Sequence, residues 1–206
     1  MKDNVIAVFG DSIAWGANDS EHGGWVEMLK NFAAKKTDYW TAVYNLGVSG
    51  DGVDDLLKRM APEAEARSPD TVIIAIGANE ARYVKKPENP AMTSERFREG
   101  MRSLAVLAKG LARNIVFVGV LPFDESRTMP ISWVPDFYHT NELAKRNNDI
   151  IREECKKSKV PFIDLFSEWV KTDYKELLDD GVHPTTEGHR KIFKTVSAFL
   201  IKSKLL

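Results

Sequence analysis

The chain has 206 residues, 43% of them hydrophobic, enough to bury one sizeable core, and its length favours a single domain over residues 1–206 rather than two very small ones. Its 29 Lys and Arg nearly balance 30 Asp and Glu, so no strong field exists to draw nucleic acid or an anionic membrane, and a small, weakly charged molecule is the expected partner. A lone cysteine, Cys155, excludes an intrachain disulfide and is compatible with the cytosol.

Before Asp11 the only apolar run is Val5 to Phe9, too short for a secretory signal. No stretch approaches the roughly 20 apolar residues that cross a bilayer, so a soluble, cytoplasmic protein without stable membrane insertion is expected. Val5-Ile6-Ala7-Val8-Phe9 is short, β-branched and stopped by Gly10-Asp11, which suits a strand buried on both faces. Trp25, Met28, Leu29 and Phe32 recur at helical spacing up to Lys36. A second strand is expected over Ala42–Leu46, ending at Gly47, and a helix over Val53–Arg67 through Val53, Leu56, Leu57 and Met60. Thr71–Ile76 is the strongest strand signal, opened by Ser68-Pro69-Asp70 and closed by Gly77. Phe97, Met101, Leu104, Leu107 and Leu111 mark a long helix, and Asn114–Val120 a fourth strand. From Phe123 to Phe137 periodicity is lost, aromatic residues cluster, and a long, functional loop is expected. A helix over Thr140–Lys157, a strand at Pro161–Asp164 and a helix over Thr186–Lys202 complete the chain.

Five buried strands alternating with helices imply right-handed crossovers and a parallel sheet covered on both faces, a three-layer α/β/α sandwich. Ligands bind beyond the carboxyl ends of such strands. That edge carries Gly10-Asp11-Ser12, Gly47-Val48-Ser49-Gly50 and Gly77-Ala78-Asn79-Glu80.

A serine directly after a buried strand, relieved by a preceding glycine, can be held exposed at a helix start as a nucleophile. The tripeptide alone reads more readily as a turn and N-cap, and it is not the Gly-x-Ser-x-Gly elbow. Near the other end, Asp180-Gly181-Val182-His183-Pro184 sets a carboxylate three residues before an imidazole on a loop that can fold them together. A serine needs a base to take its proton, and the base works best when a carboxylate fixes its tautomer. Ser12, His183 and Asp180 fit these roles. Acyl transfer also needs donors for the developing oxyanion, each worth about a hundredfold or more in rate. The backbone N–H of Gly47 and the side-chain amide of Asn79 are the candidates.

Four blocks in order, Gly10-Asp11-Ser12, Asn45-Leu46-Gly47-Val48-Ser49-Gly50, Gly77-Ala78-Asn79 and Asp180 to His183-Pro184, resemble the GDSL, or SGNH, hydrolase family and span nearly the whole chain. The resemblance implies a flavodoxin-like sandwich, Ser12 as nucleophile and oxyanion donor, Gly47 and Asn79 as further donors, and Asp180 with His183 as the supporting dyad. Two departures stand out. Glu80 occupies a position where the family often has Asp, which puts the bracing of the Asn79 loop in question, and Ile13 replaces the usual Leu. Trp15-Gly16 resembles a continuation found in arylesterase-like members.

His22, His139 and His189 lack the close spacing of a zinc site and are expected to face solvent. Asp11 is expected to organise its loop, and Asn147-Asn148 to cap or solvate a helix without chemistry. The expected reaction is hydrolysis of a carboxylic ester, short acyl or acetyl esters favoured, through an acyl-Ser12 intermediate and without metal or cofactor. An acyltransferase would use the same residues. A flavodoxin-like binding module would need a phosphate cradle, and the chain has neither Gly-x-Gly-x-x-Gly nor a Walker loop. The loops Phe123–Tyr138 and Arg82–Met92 are expected to wall the pocket. A homo-oligomer is left open by the sequence.

Overall fold

The β-branched runs form the strands expected of them in the computed structural model, which describes residues 4–36 and 40–206; Met1 to Asp3, part of the expectation about the amino terminus, lie outside the described residues. β1 (Asn4–Gly10) is followed by α1 (Ser12–Trp15), α2 (Gly24–Lys36), β2 (Thr41–Gly47), α3 (Val53–Glu65) and β3 (Thr71–Ala75). The second half runs β4 (Arg82–Val84), α4 (Ser94–Leu111), β5 (Asn114–Val118), α5 (Glu125–Thr128), β6 (Phe137–His139), α6 (Asn141–Ser158), β7 (Phe162–Ile163), α7 (Leu165–Trp169), a 3-10 turn at Tyr174–Leu177 and α8 (Thr186–Lys202).

The main sheet is parallel with order β2-β1-β3-β5-β7. Counting only its own strands, that order is 2-1-3-4-5, the flavodoxin-like winding, whose direction reverses between the first and third strands. Right-handed crossovers then set α3, α4 and α6 on one face and α2 on the other, where α8 packs against it. Ile6–Phe9 and Val72–Ile74 are fully buried because helices cover both faces. Helical periodicity produces the covering faces: α3 buries Val53, Leu56, Met60 and Ala64, and α4 buries Phe97, Met101, Leu104 and Ala108.

The Phe123–Phe137 stretch is not wholly irregular. It contains α5, capped by Asp124 through the Ser126 amide, and leads into β6, which pairs antiparallel with β4: Arg82 opposite His139, Tyr83 opposite Tyr138 and Val84 opposite Phe137. Strands of three residues are too short to show a period-2 pattern, so their pairing is invisible to hydrophobic periodicity. This two-stranded sheet stands apart from the main one.

Candidate active site

β1 delivers Gly10 to the sheet edge, in register with Gly47 on one side and Ala75 on the other. Asp11 then caps α1, its Oδ1 accepting from the Ile13 amide at 2.9 Å. Burial pushes the Asp11 carboxyl up to about 6, against the lowering effect of the Ile13 amide and the charge of His183. Its place is therefore in the loop, as expected. Ser12 is the first residue of α1. It is buried rather than exposed, at 8% accessibility, yet it lines an open cleft.

The carboxy-terminal loop reaches the same point. Ser12 Oγ lies 2.9 Å from His183 Nε2, and His183 Nδ1 lies 2.6 Å from Asp180 Oδ2. Asp180 is held on all sides: its Oδ1 accepts from the Val182 and His183 amides at 2.9 and 2.7 Å, and its Oδ2 from Asn18 Nδ2 at 3.0 Å. Burial raises its pKa, but the ring and amide hydrogen bonds from His183 outweigh that and hold it at about 2. The three residue types needed for an activated serine thus form one continuous line.

The expected oxyanion donors divide. Gly47 is a correction. Its N–H donates to Asn45 Oδ1 at 3.0 Å, it does not line the cleft, and a Cβ there would meet the Trp15 amide nitrogen at 2.3 Å. Gly47 is needed where the strand passes α1, so the glycine at the strand end serves packing. Three residues later Gly50, with φ +88°, lines the cleft, and its N–H makes no hydrogen bond among the described residues. The sequence signal was present in the block that contains both glycines; only backbone direction separates them. Asn79 does line the cleft, its Nδ2 donating to Asp51 O and its Oδ1 accepting from Arg82 Nη1, each at 2.9 Å. An amide has two N–H groups, so one remains for a ligand.

Glu80 ties the two donor loops together. It is buried, and its Oε1 accepts from the Val53 amide at 2.5 Å at the start of α3. Burial pushes its carboxyl up to about 7, the Val53 amide opposing and Asp11 adding to the rise. The longer side chain thus braces the Asn79 loop against α3.

Other expectations change. His22 is exposed beside Glu21, as expected, but His139 and His189 are buried. His189 bridges two backbones, with Nε2 2.9 Å from Ala17 O and Nδ1 accepting from the Trp25 amide at 3.3 Å. His139 packs edge-on against Phe123 and lines the cleft; burial, with help from Arg82, lowers its pKa to about 3. Asn147 and Asn148 neither cap nor solvate α6. Both are fully buried, and they hold Gly77 O and Asp164 Oδ1 at 2.9 Å. They lie on the buried stripe of α6, one turn beyond Leu143 and Ala144, where they meet polar groups at the strand ends that need partners.

The cleft has a volume of about 180 Å³. Ile131, Trp133, Val134 and Phe137 wall it from the long loop, and Arg82 is the one residue of the 82–92 segment that lines it. Trp133 stands beside His183, ring centroids 6.0 Å apart, with 47% of its surface exposed. Among the described residues no group of three or more His, Cys, Asp or Glu is placed to hold a metal, and no helix is long and apolar enough to cross a membrane.

Residues 8–191 match the model of the GDSL-like lipase/acylhydrolase family. The chain is 26% identical over 192 residues to the GDSL esterase/lipase CPRD49 of Arabidopsis thaliana, covering 90% of this chain and 74% of that protein. It is 28% identical over 156 residues to an acetylxylan esterase of Geobacillus stearothermophilus, covering 71% of this chain and 66% of that one. The crystal structure of a lipase/acylhydrolase from Enterococcus faecalis superposes with a TM-score of 0.78 at 25% identity, over 96% of this chain and 95% of that one.

Proposed function

Since the chain belongs to the GDSL-like lipase/acylhydrolase family and is a carboxylic ester hydrolase, we propose that it cleaves short acyl esters, acetyl esters among them, through an acyl intermediate on Ser12. The observation that carries this is the unbroken line from Ser12 Oγ through the His183 ring to Asp180. His183 Nε2 takes the Ser12 proton as Oγ attacks the ester carbonyl, and Asp180 stabilises the imidazolium. The tetrahedral oxyanion is received by the N–H groups of Ser12 and Gly50 and by Asn79 Nδ2. Gly50 takes the place first expected of Gly47. His183 returns the proton to the leaving alcohol, then activates a water that releases the acid.

Two features support a short acyl group. The cleft, about 180 Å³, is smaller than the roughly 300 Å³ at which drug-sized sites begin, and the similar Geobacillus protein is an acetylxylan esterase. A chain-length series of 4-nitrophenyl esters on wild type and Ser12→Ala tests the proposal. Turnover falling beyond four to six acyl carbons, and lost in Ser12→Ala, is expected; turnover that survives in Ser12→Ala overturns the mechanism.

A further inference from the structure

Arg82, in the wall of this cleft, is a cation without a counter-ion among the described residues. It starts β4, three residues after Asn79, and its Nη1 is committed to Asn79 Oδ1. The guanidinium carbon lies 3.9 Å from the Phe137 ring centroid, and this stacking holds the group flat against the wall. Its Nε is buried without a partner, and its Nη2 makes no hydrogen bond among the described residues. No carboxylate forms an ion pair with it there; Glu80 acts on it only through space.

The contrast with its neighbours is informative. Arg59 pairs with Asp51 and Glu63, and Arg127 with Asp124. Arg146, close by and without a carboxylate, is satisfied by Glu80 O, Met92 O and Asn147 Oδ1. A part-buried charge left unpaired is costly. At Arg82 the guanidinium lines the cleft that holds the reacting serine, with Nη2 unpaired among the described residues, and such a group matches a carboxylate.

We propose that the cleft selects esters whose acyl chain ends in a carboxylate, the half-esters of short dicarboxylic acids, and that Arg82 receives that carboxylate. The acyl side is favoured because Arg82 is joined to the oxyanion donor Asn79, whereas Trp133 stands beside His183, which protonates the leaving alcohol. The near-neutral net charge of the chain does not oppose this, since the recognition is local. The proposal rests on the ester hydrolase mechanism above.

The test compares 4-nitrophenyl monosuccinate with 4-nitrophenyl methyl succinate, the same acyl chain with its charge capped, on wild type, Arg82→Met and Arg82→Lys. The ratio of the two kcat/KM values cancels any common loss through Asn79. Arg82→Met is expected to lower the preference for the anionic ester by about tenfold or more, mainly through KM, and Arg82→Lys to keep part of it. An equal loss on both esters overturns the proposal and leaves Arg82 as a support for Asn79. If wild type cleaves neither ester, the hydrolase mechanism fails separately. The anion site is then decided by calorimetry with monomethyl succinate on Ser12→Ala: binding heat abolished by adding Arg82→Met upholds it, and heat that is absent or unchanged overturns it.

Discussion

Ser12 Oγ lies 2.9 Å from His183 Nε2 although 171 positions separate the two residues in the chain. The contact joins the end of the first strand to a loop whose shape is set by Asp180, which holds both the ring and the amide of His183. Ser12→Ala is expected to lower kcat by about 10⁴-fold or more, and Asp180→Asn by roughly 10³- to 10⁴-fold with KM little changed. Steady-state kinetics on a 4-nitrophenyl ester check both. Asp180→Asn activity within a factor of about three of wild type would remove Asp180 from the mechanism.

The two glycines of the second block should separate cleanly. Gly50 sits in open space with a left-handed backbone, so Gly50→Ala is expected to cost about 1–2 kcal/mol in stability while still folding, and to lower kcat. Gly47→Ala drives a methyl into the Trp15 backbone and is expected to prevent soluble expression. Asn79→Ala removes a donor and is expected to lower kcat by about 10²- to 10³-fold. Soluble yield sets Gly47→Ala apart, and thermal melts beside kinetics distinguish the other two.

Glu80 gives the molecule a pH-dependent stability of defined sign. Its folded pKa is raised, from 4.5 to about 7, so the folded state holds a proton that the unfolded state has lost. Its favourable contribution is complete below about pH 4.5 and disappears as pH rises through 7, up to about 3 kcal/mol in all. Asp11 acts in the same direction at lower pH. Glu80→Gln, which keeps an oxygen for the Val53 amide, should flatten the fall in melting temperature between pH 5 and 8. A wild-type profile that rises over this range would contradict the assignment.

His189 is predicted to be structural. His189→Ala leaves Ala17 O and the Trp25 N–H without their partner, a loss of about 1–3 kcal/mol per group deprived in the interior. Urea unfolding should show the shift in midpoint, and KM should stay near the wild-type value if the remaining protein is folded.

The five strands of the main sheet were legible as short apolar runs stopped by turn residues and the long helices by their periodic signal, and α8 keeps its expected limits, Thr186 to Lys202. Ser12, Asn79, Asp180 and His183 could be nominated because strand ends and a Gly-punctuated loop expose them together. Gly47 was misplaced because both glycines satisfy the same pattern, and only the hydrogen bond from Asn45 tells which amide is spent. His139, His189, Asn147 and Asn148 look like surface residues in sequence, since a buried polar group is recognised only by the distant atom that satisfies it. Arg82 was missed as an individual for the same reason: its meaning lies in having no ion-pair partner among the described residues.

The pairing of β4 with β6 has a bearing on how this enzyme can diversify. Arg82 and His139 are opposite one another in that ladder, and Phe137 beneath Arg82 belongs to its other strand. One wall of the cleft is thus written in two stretches of the gene more than fifty codons apart, and a change in one is read against the other. Libraries that randomise positions 82–84 alone should yield mostly inactive variants, whereas joint libraries with 137–139 should recover new specificities; relatives that differ in acyl preference should carry their differences at both places together.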